Sequence, residues 1–344
     1  MEITTLPTYL IVPVYEYEMD VTEMKIRLNM FSIVAYSLVF VLGTIGNGLV
    51  IFITGFRMSK TVNSVWILNL AIADFTCSFF LPLKIVYLSL GLHWPFGLVL
   101  CKLENTLCFL NLYASVYFLV VISMDRCLSV WWPVQAQNYR TLWRASFVAL
   151  GVWILALLLC SPNLYFRNSS YDNETDTTFC YSDYGSNYEE GISILYAVII
   201  SRFILAFIIP FSVIAFCYGA MVWKFRRDRM TRSNKPFKVI TAVIVAFFVC
   251  WLPFHIFVFL EAESQVENQV NVVIFVGVHV TFCLAYFNSC VNPILYVFMG
   301  RRFKDRLRRS FLSTFENAFV EDSSHATKCS TVRSTSERET FFLP

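Results

Sequence analysis

The chain has 344 residues, of which 57% are apolar and only 15% charged, with a formal net charge of +3 and a mean hydropathy of +0.60. A soluble domain is nearer ~45–50% apolar and ~25% charged, so this composition excludes a single water-soluble core, and no nucleic-acid partner is expected. The apolar excess is gathered instead into blocks long enough to cross ~30 Å of hydrocarbon, which takes about 20 residues at 1.5 Å per residue.

Seven such blocks lie at 28–56, 65–90, 102–130, 146–163, 192–222, 237–260 and 271–299. Helices are expected, because a lipid-exposed segment must satisfy its own backbone and the alternation of a barrel strand is absent. The predicted fold class is therefore an all-α membrane protein, a seven-transmembrane helix bundle over 28–300. Residues 1–27 form an acidic tail without the apolar region of a secretory signal, so the first span is expected to act as signal anchor. Within that tail "YEYEMD" makes Tyr15 and Tyr17 sulfation candidates; an unmodified disordered tail is the alternative. No repeat or second domain is visible.

The loops on one side, 57–63, 131–146, 223–238 and 301–344, carry 20 Lys/Arg against 7 Asp/Glu; the opposite set, 1–27, 164–191 and 260–271, carries 3 against 14. By the positive-inside rule the amino terminus is expected outside and the carboxyl tail in the cytoplasm. Two glycosylation triplets, at Asn168 and Asn173, fall in a loop assigned outside. Cys101 and Cys180 face the same oxidising side and are predicted to bond, two free thiols being the alternative.

Several polar residues stand where apolar ones are cheaper. Asp74 lies deep in the second span, where a carboxylate costs ~2.5–3.5 kcal/mol and normally faces the bundle interior. Asn111 and Ser115 share one face of the third span, and Asn288, Ser289 and Asn292 of the seventh lie at similar depth. These hard oxygen ligands suit a small cation or a water cluster, or else a purely structural hydrogen-bond cluster. Asp125-Arg126 closes the third span, as a solvated helix end or as an ion pair with a function. Pro82, Pro210, Pro253 and Pro293 each remove a backbone hydrogen bond and kink their spans, and Trp251 stands just before Pro253.

These residues carry a resemblance. Gly46-Asn47, "LAIAD", "DRC", Trp153, Pro210 with Tyr218, "CWLP" and "NPILY" occur in the order and spacing of rhodopsin-like G-protein-coupled receptors, over essentially all seven spans. The resemblance implies that Arg126 parts from Asp125 on activation to line the cleft for a G protein, while Tyr218 and Tyr296 swing inward. It implies that Trp251 and Pro253 form the pivot of the sixth helix. It also implies that Asp74, Asn111, Ser115, Asn288 and Asn292 form a pocket for an allosteric sodium ion, no other cofactor being expected. Cys127 replaces the usual tyrosine after Arg126, and Ser233 replaces the acidic partner of the arginine on the sixth helix. The latch is therefore expected to be weak and signalling without ligand appreciable.

Within that family "LHWPFGLVLCK", "MDRCLSVWWPVQAQNYRT", "NKPFKVI" and "FNSCVNPILYVFMGRRFK" resemble the chemerin and formyl-peptide receptors. Phe109 stands where formyl-peptide receptors place a ligand-contacting aspartate and Val198 replaces one of their two arginines, which favours the chemerin side. Cys108, where aminergic receptors hold an aspartate, argues against an amine ligand, and a seventh span without Lys excludes retinal. The acidic outer rim suits a basic peptide or small protein. Deeper in, Lys84 and Arg202 are cations that a ligand carboxylate could meet, snorkelling being the alternative for Lys84. Glu104, Cys108, Phe109, Tyr113, Phe254, His255 and Tyr286 are expected to line the ligand site with them.

On the cytoplasmic side, residues 301–315 read as a basic amphipathic eighth helix on anionic lipid, and residues 316–344 as a disordered, hydroxyl-rich tail for phosphorylation by receptor kinases. The expected partners are an inhibitory-class heterotrimeric G protein and arrestins. A scavenging or arrestin-biased receptor is the alternative. An enzyme is not expected, since the four histidines lack metal spacing and no phosphate loop appears; a transporter would show internal repeats.

Overall fold

A computed structural model describes residues 14–185, 187–228, 235–266 and 272–299, with backbone alone for 14–22, 235–239, 265–266 and 296–299. In chain order the elements are α1 (Val14–Phe52, closing in a π-turn Ile53–Arg57), α2 (Val62–Ser89), α3 (Gly97–Trp131) and α4 (Pro133–Tyr139). They continue with α5 (Leu142–Phe166), β1 (Arg167–Asp172), β2 (Thr177–Ser182), α6 (Tyr188–Phe203), α7 (Ile209–Arg227), α8 (Lys235–Val266) and α9 (Val272–Met299). Among the described residues seven helical stretches are long and apolar enough to cross a membrane, α6 and α7 forming one of them.

The spans outrun the apolar blocks at several ends because caps and amphipathic turns continue a helix past its lipid-facing part. Thr61 opens α2 in a capping box with Ser64, and the Thr141 hydroxyl accepts from the Arg144 N–H at the start of α5. The largest departure is at the amino terminus. Residues 14–27, expected only as part of an acidic tail, are helical, a run rich in Glu, Met, Lys and Arg that hydropathy ignores but helix propensity favours. Tyr15 and Tyr17 fall in it, outside the residues whose side chains are described. The eighth helix at 301–315, the tail beyond it and Ser233 also lie outside the described residues.

Pro82, Pro253 and Pro293 lie inside α2, α8 and α9 as expected, and Pro162 lies inside α5. Pro210 acts through a π-turn at Ile204–Ile208, which joins α6 to α7. There the Ile209 N–H bonds to the Ile204 carbonyl, and Pro210 has no N–H for the carbonyl of Leu205. The Tyr117 hydroxyl of α3 donates to that carbonyl at 3.0 Å. The break in one helix thus becomes a tie to another.

Other ties follow the same logic. The Asn47 amide of α1 donates to the Ser289 carbonyl of α9 at 2.7 Å, and the Trp153 indole of α5 to Asn69 Oδ1 of α2 at 2.9 Å. Gly46 lets α1 approach α9 closely, since a Cβ there would stand 2.9 Å from Pro293 Cβ.

Over one end of the bundle β1 and β2 pair antiparallel, with Ser169 opposite Cys180, and the Cys101–Cys180 disulfide ties this hairpin to the start of α3. The Trp94 N–H donates to the Thr178 carbonyl at 2.7 Å, and the Trp94 ring packs beside the disulfide. At the turn the Thr175 hydroxyl and then the Glu174 N–H bond to Asp172 and hold its carboxyl below the usual carboxylate range. Asn173 is exposed at the tip; Asn168, within β1, is half-buried with its amide 3.3 Å from Asp183 Oδ2.

Candidate functional site

Three polar clusters occupy the interior, one below another. Nearest the hairpin, Glu104 of α3 is buried, accepts from the Tyr286 hydroxyl of α9 at 3.1 Å and lies 3.9 Å from Lys84 Nζ of α2. The ammonium also stands over the Phe282 and Tyr286 rings at 5.4 and 5.6 Å. Lys84, expected to snorkel or to meet a ligand, therefore has an internal anion and an aromatic bed.

Arg202, at the end of α6, is in a different position. It is 9% exposed, its guanidinium lies 3.7 Å from the centroid of the Phe109 ring, and it donates to Asn163 Oδ1 at 3.3 Å, with Tyr113 alongside. Among the described residues no carboxylate forms an ion pair with it. The Phe109 ring stands 6.3 Å from that of Phe254, which packs edge-on against Trp251 at 5.5 Å, two residues before Pro253. His255 is buried among Phe203, Phe207 and Phe254, and its Nε2 has no hydrogen-bond partner among the described residues. Cys108 is buried nearby, beside Tyr286. The residues expected to line a ligand site are thus brought together, packed on one another.

Below them Asp74 is fully buried, and its two oxygens accept from the Asn111 and Asn292 amides at 2.9 and 2.7 Å, joining α2, α3 and α9. Ser115 Oγ and Asn288 Nδ2 are buried beside them without a hydrogen-bond partner among the described residues. One carboxylate beside a serine hydroxyl and amide side chains that could turn their oxygens toward it suits a small monovalent cation better than a transition metal. Among the described residues no group of three His, Cys, Asp or Glu could hold a metal ion.

At the far end the expected pairing within Asp125-Arg126 is replaced. Arg140, the residue after α4, grips Asp125 with two bonds, Nε to Oδ1 at 2.8 Å and a terminal nitrogen to Oδ2 at 3.0 Å. Arg126 instead donates to Asn63 Oδ1 at 2.8 Å, an acceptor that Arg140 shares at 2.9 Å. The reason is helical geometry: successive residues do not face each other, so the carboxylate turns to the loop and the guanidinium to α2. A bidentate Arg–carboxylate pair is also the stronger arrangement. Tyr218 lies close to Thr241 and the Arg126 charge, whereas Tyr296 is outside the residues whose side chains are described.

Arg140, Asn63 and Asn163 were not singled out by the sequence. In the sequence Arg140 reads only as loop charge, and the two asparagines sit at helix ends, where that residue type is ordinary. Nothing in the local pattern marks them, because their partners are distant in the chain.

The family model of the 7 transmembrane receptor (rhodopsin family) matches residues 46–296. The chain is 40% identical over 331 residues to the chemerin-like receptor 1 of Sus scrofa, spanning 92% of this chain and 90% of that protein. It is 39% identical over 321 residues to the N-formyl peptide receptor 3 of Homo sapiens, spanning 90% and 91%. Against the chemerin-like receptor 1 of Rattus norvegicus it is 41% identical over 307 residues, 86% and 82% of the two chains. The chain belongs to the rhodopsin family of seven-transmembrane receptors: it is a multi-pass membrane receptor and not an enzyme.

Asn111→Ala or Asn292→Ala takes one donor from a fully buried carboxylate. Each is expected to cost about 1–3 kcal/mol, read as a lower melting temperature of the purified receptor in sodium-free detergent. Ser115→Ala, which removes a hydroxyl without a partner, should be near neutral there.

Proposed function

We propose that the chain is a cell-surface G-protein-coupled receptor for a chemoattractant peptide or small protein whose free carboxylate is received by Arg202. The observation that carries this reading is a buried guanidinium without a carboxylate partner among the described residues. A cation in that place is costly unless an anion completes it, and a peptide C-terminus offers a planar anion that guanidinium can grip with two bonds. The relatives' names supply the ligand class; Phe109 and Val198 favour the chemerin side over the formyl-peptide side.

In this reading the amino terminus, the hairpin and glycans on Asn168 and Asn173 are outside, and an acidic rim steers a basic ligand inward. Sulfate on Tyr15 and Tyr17 would deepen the same field. The ligand's carboxylate draws on Arg202 and disturbs the contact run from Phe109 through Phe254 to Trp251, turning α8 at Pro253. A sodium ion held by Asp74 with Asn111, Ser115, Asn288 and Asn292 would neutralise the carboxylate and favour the inactive packing. At the cytoplasmic end Arg126 swings from Asn63 to line the G-protein cleft, joined by Tyr218 and Tyr296, while Arg140 keeps Asp125 occupied. An inhibitory-class heterotrimer is the expected transducer, with receptor kinases and arrestins acting on the tail.

The second reading is an arrestin-biased or scavenging receptor. Cys127 after Arg126 and the clamp of Asp125 by Arg140 favour it, since both alter the latch on which G-protein engagement rests.

The assignment is tested by heterotrimer dissociation and arrestin recruitment in cells expressing the chain, challenged with a chemerin C-terminal peptide and with a formylated peptide. Dissociation of an inhibitory G protein by the first alone is expected. Arrestin recruitment without dissociation would give the second reading, and silence to both at confirmed surface expression would remove the ligand class. For the latch, Arg140→Ala frees Asp125 to pair with Arg126 and is expected to lower ligand-free signalling at equal surface expression; an unchanged basal signal would leave the clamp without a role in activation.

A further inference from the structure

At the end of the bundle opposite the hairpin, α2, α3, α4 and α5 enclose a cavity of about 650 Å³. Its walls are apolar, with Val62 and Trp66 from α2, Val121 and Leu128 from α3, and Ala145 and Val148 from α5. Leu128 and Val148 are 49% and 43% exposed. In a chain that crosses a bilayer such surfaces face lipid, so the groove opens sideways into the membrane rather than into water. Exposed Trp132, Tyr139 and Trp143 stand at the same level, the aromatic residues that mark the headgroup interface.

Among the described residues two polar groups at this groove lack a polar partner: the Trp66 indole has no hydrogen-bond acceptor and Arg144 no carboxylate. The indole N–H of Trp66 is buried, the residue being 5% exposed, and has no acceptor among the described residues. A stranded buried donor is costly unless something completes it. Arg144, on the rim, is exposed, lies 4.8 Å from the Tyr139 ring and forms no ion pair with a carboxylate among the described residues. Its neighbour Arg140 also lines the cavity and is already engaged by Asp125.

We propose that this groove binds an anionic phospholipid of the adjoining leaflet, with its phosphate on Arg144. One acyl chain lies along the apolar walls between α2, α3 and α5, and an ester oxygen accepts from Trp66. An amphiphile with a negative head meets all three features together: lateral opening, a buried donor and an available cation at headgroup depth. A soluble anion has no use for the apolar walls, and a sterol or zwitterionic lipid none for the net positive rim. The bound lipid would pack directly against Arg140 and so against its clamp on Asp125. The inference rests on the membrane placement shared by the family, not on the ligand of the opposite end.

The test uses the full-length receptor in nanodiscs of phosphatidylcholine doped, in both leaflets, with phosphatidylglycerol carrying a diazirine in its acyl chain. After irradiation, peptide mapping is expected to find the label on residues lining the groove in α2 and α5. Arg144→Gln should lower that labelling about fivefold, the effect of one basic side chain beside an anionic headgroup, and Arg144→Lys should largely restore it. Val148→Trp, which fills the groove from an exposed position, should abolish it while labelling elsewhere persists, a built-in check that the variant is folded. Equal groove labelling by a diazirine phosphatidylcholine, or indifference to Arg144→Gln and Val148→Trp, would overturn the proposal. Competition by excess water-soluble glycerophosphoglycerol would overturn it too, by making a free phosphate the ligand.

Discussion

Hydrocarbon offers no hydrogen-bond partners, and this constraint governs how the bundle is assembled. A polar group within the membrane is best met by the protein itself, so several of them become ties between spans. Asp74 collects amides from α3 and α9, Glu104 collects a hydroxyl and an ammonium, and Tyr117 repairs the carbonyl that Pro210 strands. Arg202 stands apart: among the described residues it has a ring, an amide oxygen and a neighbouring tyrosine, but no carboxylate. In the proposed function a binding cation differs from a structural one in whether its charge is already answered.

The same accounting separates the two ends of the molecule. Near the hairpin the interior holds Arg202 without a carboxylate partner among the described residues. At the other end the charges are mutually engaged, with Asn63 and Arg140 drawing Arg126 and Asp125 apart. Between the ends the aromatic run from Phe109 to Trp251 and the Asp74 cluster occupy successive levels of one close-packed interior, where a shift at one level must be accommodated by its neighbours. Packed interiors of this kind switch between arrangements rather than deform smoothly.

Much of this was legible in the sequence because the membrane simplifies the code. An apolar block of span length leaves few alternatives, so the seven spans, the pairing of Cys101 with Cys180 and the companions of Asp74 could all be read from the sequence. What was not legible depends on folding back of the chain. The β1–β2 hairpin is built from a polar stretch with little alternation, and it is held by a disulfide and by the backbone of Trp94. The helix over residues 14–27 is driven by propensity, to which hydropathy is blind. Arg140 could be seen only as loop charge, since nothing near it in sequence reveals that α4 brings it to Asp125. Lys84 was legible as a cation in the second span but not as one already matched, because Glu104 reaches it from another span.

The central claim, that Arg202 awaits a ligand carboxylate, is tested most directly by a double-mutant cycle on the receptor and its peptide. Potencies of a chemoattractant C-terminal peptide as free acid and as C-terminal amide are measured on the wild type and on Arg202→Leu at matched surface expression. If the carboxylate meets this guanidinium, amidation should weaken potency about 30-fold or more on the wild type, as for a buried charge pair, and should have little further effect on Arg202→Leu. Equal losses on amidation in both receptors would place the carboxylate elsewhere and contradict the assignment.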